Sequence, residues 1–192
     1  MSLFRRDGGK VDWLVVGLGN PGERYARTRH NVGVEVVNLA VERWGLPRAK
    51  KRYGGLYSDG RTGPGGPRVG VLLPQTYMNE SGNSVSPARG ALGLDLDRVV
   101  AVHDEIDLPF GRIETRLGGG LAGHNGLKSL RRGLGSADFH RIRVGVGRPD
   151  STDPEIVSAH VLGRFSEPKD EVGALVEAAA DELERLVGAT GP

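Results

Sequence analysis

Apolar residues along the chain gather into short dense runs and longer spaced stretches, separated by loops rich in glycine and polar residues. Val11 to Gly17 is a short apolar run ending in glycine and reads as a buried strand. Val34, Val36, Val37, Leu39, Ala40, Val41 and Trp44 then follow largely at helical spacing, with Gly45 as C-cap and Pro47 beyond. Tyr53–Ser58 and Arg68–Leu73 read as strands joined by the glycine- and proline-rich turn from Gly60 to Pro67. A helix is expected within Ser84–Leu94, started or kinked by Pro87. Arg98–Val102 reads as a buried strand running into His103 and Asp104. Gly111–Leu117 reads as a strand, His124–Arg132 as a helix and His140–Val146 as a strand. Pro168–Val187 closes the pattern as a helix with Val172, Leu175, Val176, Ala179, Leu183 and Leu186 on one face. No repeats or long linkers interrupt it. Strands interleaved with helices predict an α/β fold, a single-domain sandwich with a mixed central sheet flanked by helices. In such folds ligands sit beyond the strand ends.

A length of 192 residues suits one domain with a substantial core. Residues 11–192 are assigned to that domain, and 1–10 to a frayed N-terminal extension. That extension is polar, without the apolar segment of a signal peptide, and no stretch approaches the length of a membrane span. With no cysteine there is no thiol nucleophile, disulfide or thiolate metal ligand, which suits a reducing cytoplasm. The net charge of +2 hides an asymmetry. From Asp150 on there are ten acidic and three basic residues, which leaves 23 basic against 14 acidic before it. Arg24, Arg27, Arg29, Arg48, Lys50, Lys51, Arg52, Lys128, Arg131, Arg132, Arg141, Arg143 and Arg148 contribute to that excess, which offers a polyanion much to hold. For any one of them, surface solvation is the better reading.

Four polar blocks stand between the core elements. They are Gly17 to Asn31, Thr76 to Gly82, His103 to Pro109 and Gly118 to Gly126. Gly17-Leu18-Gly19-Asn20-Pro21-Gly22 matches the dinucleotide fingerprint, but Pro21 and the polar stretch to His30 postpone the helix. No acid-ending second strand follows at the required distance, so a dinucleotide-dependent oxidoreductase is set aside. His30 is the leading general base, because a neutral imidazole titrates near working pH. Asp104 can hold the other ring nitrogen and fix the tautomer. Asp107 reads as a turn carboxylate. His103 ends a strand and His124 starts a helix, which makes both weaker bases, while His140 and His160 lack a polar context. Asn20, Asn79 and Asn125 offer amides that can hold a peptide backbone without adding charge, although asparagine beside glycine is equally turn chemistry. Gly118-Gly119-Gly120 admits two readings, a phosphate cradle or a flexible loop. Walker, G-x-S-x-G and H-E-x-x-H patterns are absent.

Together these blocks resemble the signature segments of bacterial-type peptidyl-tRNA hydrolases, from about Trp13 to the C-terminal helix. The resemblance implies an esterase that cleaves peptide from the tRNA 3′ ribose, with His30 as catalytic base and Asp104 as its support. It implies that Asn20 discriminates substrates with a blocked amino group and that Asn79 and Asn125 bind the peptidyl-tRNA end. Tyr25 and Tyr77 match tRNA-contact positions, and Met78 matches one lining the peptide channel. It also favours the flexible loop at Gly118–Gly120. Of the two basic residues that clamp the tRNA 5′-phosphate, Arg143 matches one; the other falls on Glu114, with Arg112 and Arg116 as possible substitutes. Peptidyl-tRNA is the expected partner of a cytoplasmic monomer needing neither metal nor cofactor. An RNA-binding protein without activity is the alternative, and Ser151–Phe165 is a candidate lid.

Overall fold

The computed structural model describes residues 9–189; the expected N-terminal extension lies almost wholly outside them. Seven strands form one sheet in the order β2-β3-β4-β1-β5-β7-β6. They are β1 (Trp13–Gly17), β2 (Lys50–Arg52), β3 (Gly55–Arg61), β4 (Arg68–Pro74), β5 (Val99–Glu105), β6 (Ile113–Leu117) and β7 (His140–Gly145). The four central strands, β4, β1, β5 and β7, are mutually parallel. The β2–β3 and β6 edges are added antiparallel, so the sheet is mixed as expected.

The two periodicities in the sequence explain the layers. Along β1, Trp13 and Val15 face one side of the sheet while Leu14 and Val16 face the other. Both sides are covered, so the strand reads as one continuous apolar run. The first side joins Val69, Val71, Val100, Val102, Ile142 and Val144 to α1 (Val32–Arg43) and α5 (Lys169–Gly188). The second joins Leu72, Val99 and Ala101 to α2 (Gly82–Leu92) and α3 (Asn125–Leu134). Leu175, Ala179 and Leu183 of the anticipated α5 face are buried, together with Ala180 and Val187.

Several boundaries differ from expectation. β3 begins at Gly55 because Tyr53 (φ 55°) and Gly54 (φ 66°) form the turn from β2, whose three charged residues hide the edge strand from a hydrophobic reading. Pro87 lies inside α2 rather than at its start; it and Asn83, whose carbonyl loses its partner, are both exposed to water. A helix absent from the expected pattern, α4 (Pro154–Leu162), occupies the suggested lid. It buries no residue, so it has no core face to read, and its one clear signal is Asp153, which accepts from Glu155 N–H just ahead of Pro154. Finally, β5 continues to Glu105, so His103 and Asp104 sit on the strand instead of a loop.

One close approach sets up the site. A Cβ on Gly33 would fall 2.1 Å from the carbonyl oxygen of Val102. Glycine therefore lets the start of α1 press directly on β5 and seats the residues before it against the strand's end.

Candidate active site

His30, Asn20, Tyr77, Met78, Asn79, Asp104, His124 and Asn125 line one cleft of about 640 Å³ at the carboxyl ends of β1, β4 and β5. Three of the blocks reach it simply by leaving those strands. The fourth does not. Leu117 pairs with His140 at the amino end of β7, whereas Asp104 pairs with Val144, four residues further on. The segment from Gly118 to Gly123 must therefore travel about 13 Å back along the sheet, at the usual rise per strand residue. Arg141, buried on β7 and stacked on Phe139, donates to the carbonyls of Gly119, Gly120 and Ala137 on the way. These glycines turn carbonyls toward an internal guanidinium, which is the opposite of a phosphate cradle. Among the described residues the cation has no carboxylate hydrogen-bond partner, and burial lowers its pKa.

His30 and Asp104, the expected base and its support, lie side by side. Asp104 continues the Val100–Val102 side of β5, the side that α1 covers. His30 Nδ1 donates to both of its carboxylate oxygens, at 2.9 and 3.0 Å. That leaves His30 Nε2 without a protein partner among the described residues, in the wall of the cleft. His124, passed over in the sequence, also reaches this carboxylate, with Nε2 2.9 Å from Asp104 Oδ1. As N-cap of α3, its Nδ1 accepts from Gly126 and Leu127 N–H at 3.1 and 3.3 Å. An imidazole accepting at Nδ1 carries its proton on Nε2, so His124 is fixed as a neutral donor to Asp104. The signal available in the sequence was position: a polar residue just before a helical pattern is a capping site.

These contacts shift protonation in opposite senses. Burial pulls His30 toward neutrality, but attraction to Asp104 and their hydrogen bond outweigh it and raise its pKa above 6.5. Burial pushes Asp104 upward, and attraction to the imidazoles of His30 and His124, with the hydrogen bonds from both, overcomes it and holds the carboxyl well below its ordinary range. His103 is fully buried, donates through Nδ1 to the Asp104 carbonyl at 2.7 Å, and is lowered to about 3, first by burial and then by His124. It is an uncharged spacer. Asp107 lies on the surface and pairs with Arg148, which leaves the support of His30 to Asp104.

Asn20 is built in on three sides. Its backbone N–H and carbonyl exchange hydrogen bonds with the side chain of Asn31, both at 2.9 Å, and its Oδ1 accepts from Met78 N–H at 2.7 Å. The Asn20 amide N–H₂ is thereby left for the cleft. Asn31 was missed; buried beside a polar loop, it has no periodic signature. Met78 is buried with its sulfur close to Gly126, Asn79 and Asn125 are exposed at the rim, and Tyr77 is 58% exposed. Two expected residues are not brought in. Tyr25 stands in a short 3₁₀ turn beside Arg24 and lines no part of the cleft. Arg143 lies outside it too, held by Glu105 at 3.2 Å and by Glu114, its cross-strand neighbour, at 2.9 Å. Arg116 also contacts Glu114, at 3.3 Å. The expected surface is further reduced because Arg29 is interior, donating to the carbonyls of His160 and Arg164. Block one forms 3₁₀ turns, and α1 starts only at Val32, far from the glycines a dinucleotide would need.

A paired imidazole and carboxylate beneath an amide-lined cleft, carried on a mixed α/β sheet, define a protein of the hydrolase class. Residues 14–190 match the family model described as peptidyl-tRNA hydrolase, and the chain belongs to that family. It is 44% identical to the peptidyl-tRNA hydrolase of Renibacterium salmoninarum, over 91% of this chain and 90% of that one. It is 46% identical to that of Syntrophotalea carbinolica over the same shares. Among solved structures, peptidyl-tRNA hydrolase from Acinetobacter baumannii superposes with a TM-score of 0.83 at 36% identity, covering 95% of this chain and 92% of that one.

Proposed function

We propose that this chain hydrolyses the ester between the C-terminal carboxyl of a peptide and the 3′-terminal ribose of its tRNA. The products are free tRNA and free peptide, recovered from prematurely released or stalled translation products. The observation that carries the reading is the His30 tautomer. With Nδ1–H committed to Asp104, Nε2 is the accepting nitrogen and faces the cleft. There it takes a proton from water as the oxygen bonds to the ester carbonyl carbon. The imidazolium so formed is stabilised by Asp104, and it returns the proton to the departing ribose oxygen as the carbon–oxygen bond breaks. A ribose ester is activated enough to need no covalent intermediate. Amide N–H₂ groups from Asn20, Asn79 and Asn125 supply donors for the peptide and for the charge that develops on the carbonyl oxygen.

Metal plays no part in this reading. His30, Asp104 and His124 are close enough to be a ligand trio, but the two backbone N–H groups on His124 Nδ1 keep a proton on the nitrogen that would have to bind. For the RNA, Lys128, Arg131 and Arg132 are exposed along α3 beside Asn79, whose carbonyl Arg132 holds at 3.1 Å. The described residues contain no helix long and apolar enough to cross a membrane, in keeping with action in the cytoplasm, and the reading requires only a monomer. The test is hydrolysis of N-acetyl-aminoacyl-tRNA beside its unblocked counterpart. The blocked substrate should be preferred, and His30→Ala should lower kcat by roughly 10²–10⁴-fold. Near-normal turnover in that variant would refute the assignment.

A further inference from the structure

The cleft around His30 has a neighbour that the reaction does not use. A second open groove, about 990 Å³, lies between the β1–α1 segment and the approach to α5. Asn20 lines both grooves, so the two meet at one side chain. Elsewhere the chain is stitched closed between them. Thr28 forms a strand-like bridge with Arg164, and the buried Arg29 guanidinium ties the carbonyls of His160 and Arg164 to the 3₁₀ turn that holds His30. The open route from one groove to the other runs over Asn20, past Gly22 and Gln75, both exposed.

The lining of the second groove selects its occupant. Glu35, Glu42 and Glu167 are matched by Arg27, Arg164 and Lys169, so the groove exerts no net pull on a phosphate backbone. The basic stretch of α3 lies instead beside the first cleft, and it gives the RNA a different direction of exit. Asn38 and Gln75 contribute amides, which pair with a peptide backbone whatever its side chains. Leu39, Phe165 and Val172 supply apolar surface for those side chains. This combination suits an extended polypeptide of no fixed sequence.

We propose that the second groove is a subsite for the upstream residues of the peptide, which leaves the His30 cleft by crossing Asn20. The inference rests on the hydrolase reading above. An extended chain advances ~3.3–3.6 Å per residue, so a hexapeptide reaches about 20 Å from its esterified carboxyl.

The experiment compares N-acetyl-aminoacyl-tRNA with N-acetyl-hexapeptidyl-tRNA sharing the same tRNA and C-terminal residue. The longer substrate should show KM lower by about three- to tenfold, equivalent to ~0.7–1.4 kcal/mol, with kcat within about twofold. Asn38→Trp and Gln75→Trp, both at exposed positions, fill the groove from opposite walls and should reduce that ratio to near one. Two independent variants guard against a folding defect in either. A wild type with no gain from peptide length, or a gain that survives both substitutions, would overturn the proposal. Absence of hydrolysis on every substrate would overturn the enzymatic reading instead, and this subsite with it.

Discussion

Replacing Asp104 by Asn keeps the shape of a fully buried side chain and exchanges one acceptor oxygen for a donor NH₂. The wild-type carboxylate receives two N–H groups, from His30 Nδ1 and His124 Nε2. An amide oxygen next to a donating nitrogen can serve only one of these without a clash. His124 has no freedom to yield, because its Nδ1 is occupied by two backbone N–H groups and its proton must stay on Nε2. The amide oxygen therefore goes to His124, and the NH₂ faces His30 Nδ1. His30 must then accept at Nδ1 and carry its proton on Nε2, where it can no longer take one from water. A base in the wrong tautomer costs about 10⁴ in kcat, equivalent to roughly 5 kcal/mol. Loss of the carboxylate also removes what holds the His30 pKa up, leaving burial to lower it. Turnover of N-acetyl-aminoacyl-tRNA measures the loss, and nitrogen-15 NMR of the imidazoles reads the tautomer directly. The two substitutions should be non-additive. In Asp104→Asn with His124→Ala, the amide oxygen is released to His30, and part of the activity should return even though the lost N-cap costs about 1 kcal/mol of stability. An Asp104→Asn enzyme within tenfold of wild type, or a His30 tautomer unchanged by the substitution, would refute this reasoning.

In the proposed mechanism His30 acts when neutral; with its pKa raised, the acidic limb of kcat/KM should lie above pH 6.5 and fall about tenfold per unit below the midpoint. In stability the same pair acts in two windows: His30 contributes at low pH and loses its contribution as pH rises through its raised pKa, whereas Asp104 contributes above the ordinary carboxyl range and loses it as pH falls through its depressed pKa. Urea melts at several pH values would show both. Gly33→Ala drives a methyl group into the Val102 carbonyl and should cost about 1–3 kcal/mol by denaturant unfolding, with kcat reduced because His30 is displaced from Asp104. Glu114→Gln releases Arg143 from one of its two carboxylates and should lower KM for tRNA-borne substrates by roughly two- to fivefold, with a steeper dependence on salt. An unchanged salt slope would mean that Arg143 does not meet phosphate.

Apolar periodicity made the sheet's centre legible, because β1, β4 and β5 are buried on both faces and leave unbroken runs. It failed where burial is one-sided or absent, as in the charged edge strand β2 and in α4. The His30–Asp104 pair was readable because each side chain sits in a polar block with few structural duties. His124 and Asn31 were not, since their partners are backbone groups and a carboxylate far along the chain, and capping residues look alike whatever lies beyond the helix. Arg29, Arg141 and Arg143 show the limit of counting charge: each is spent on internal carbonyls or carboxylates, which composition alone does not distinguish from a cationic surface.

The pairing of His30 with Asp104 joins positions 74 residues apart, and His124 with Asn125 lies later still. During synthesis the base therefore emerges from the ribosome well before its carboxylate, and before the strand that aligns it. A nascent copy of this protein is itself a peptide esterified to tRNA, and its own cleft is not assembled until the sheet has closed around β5.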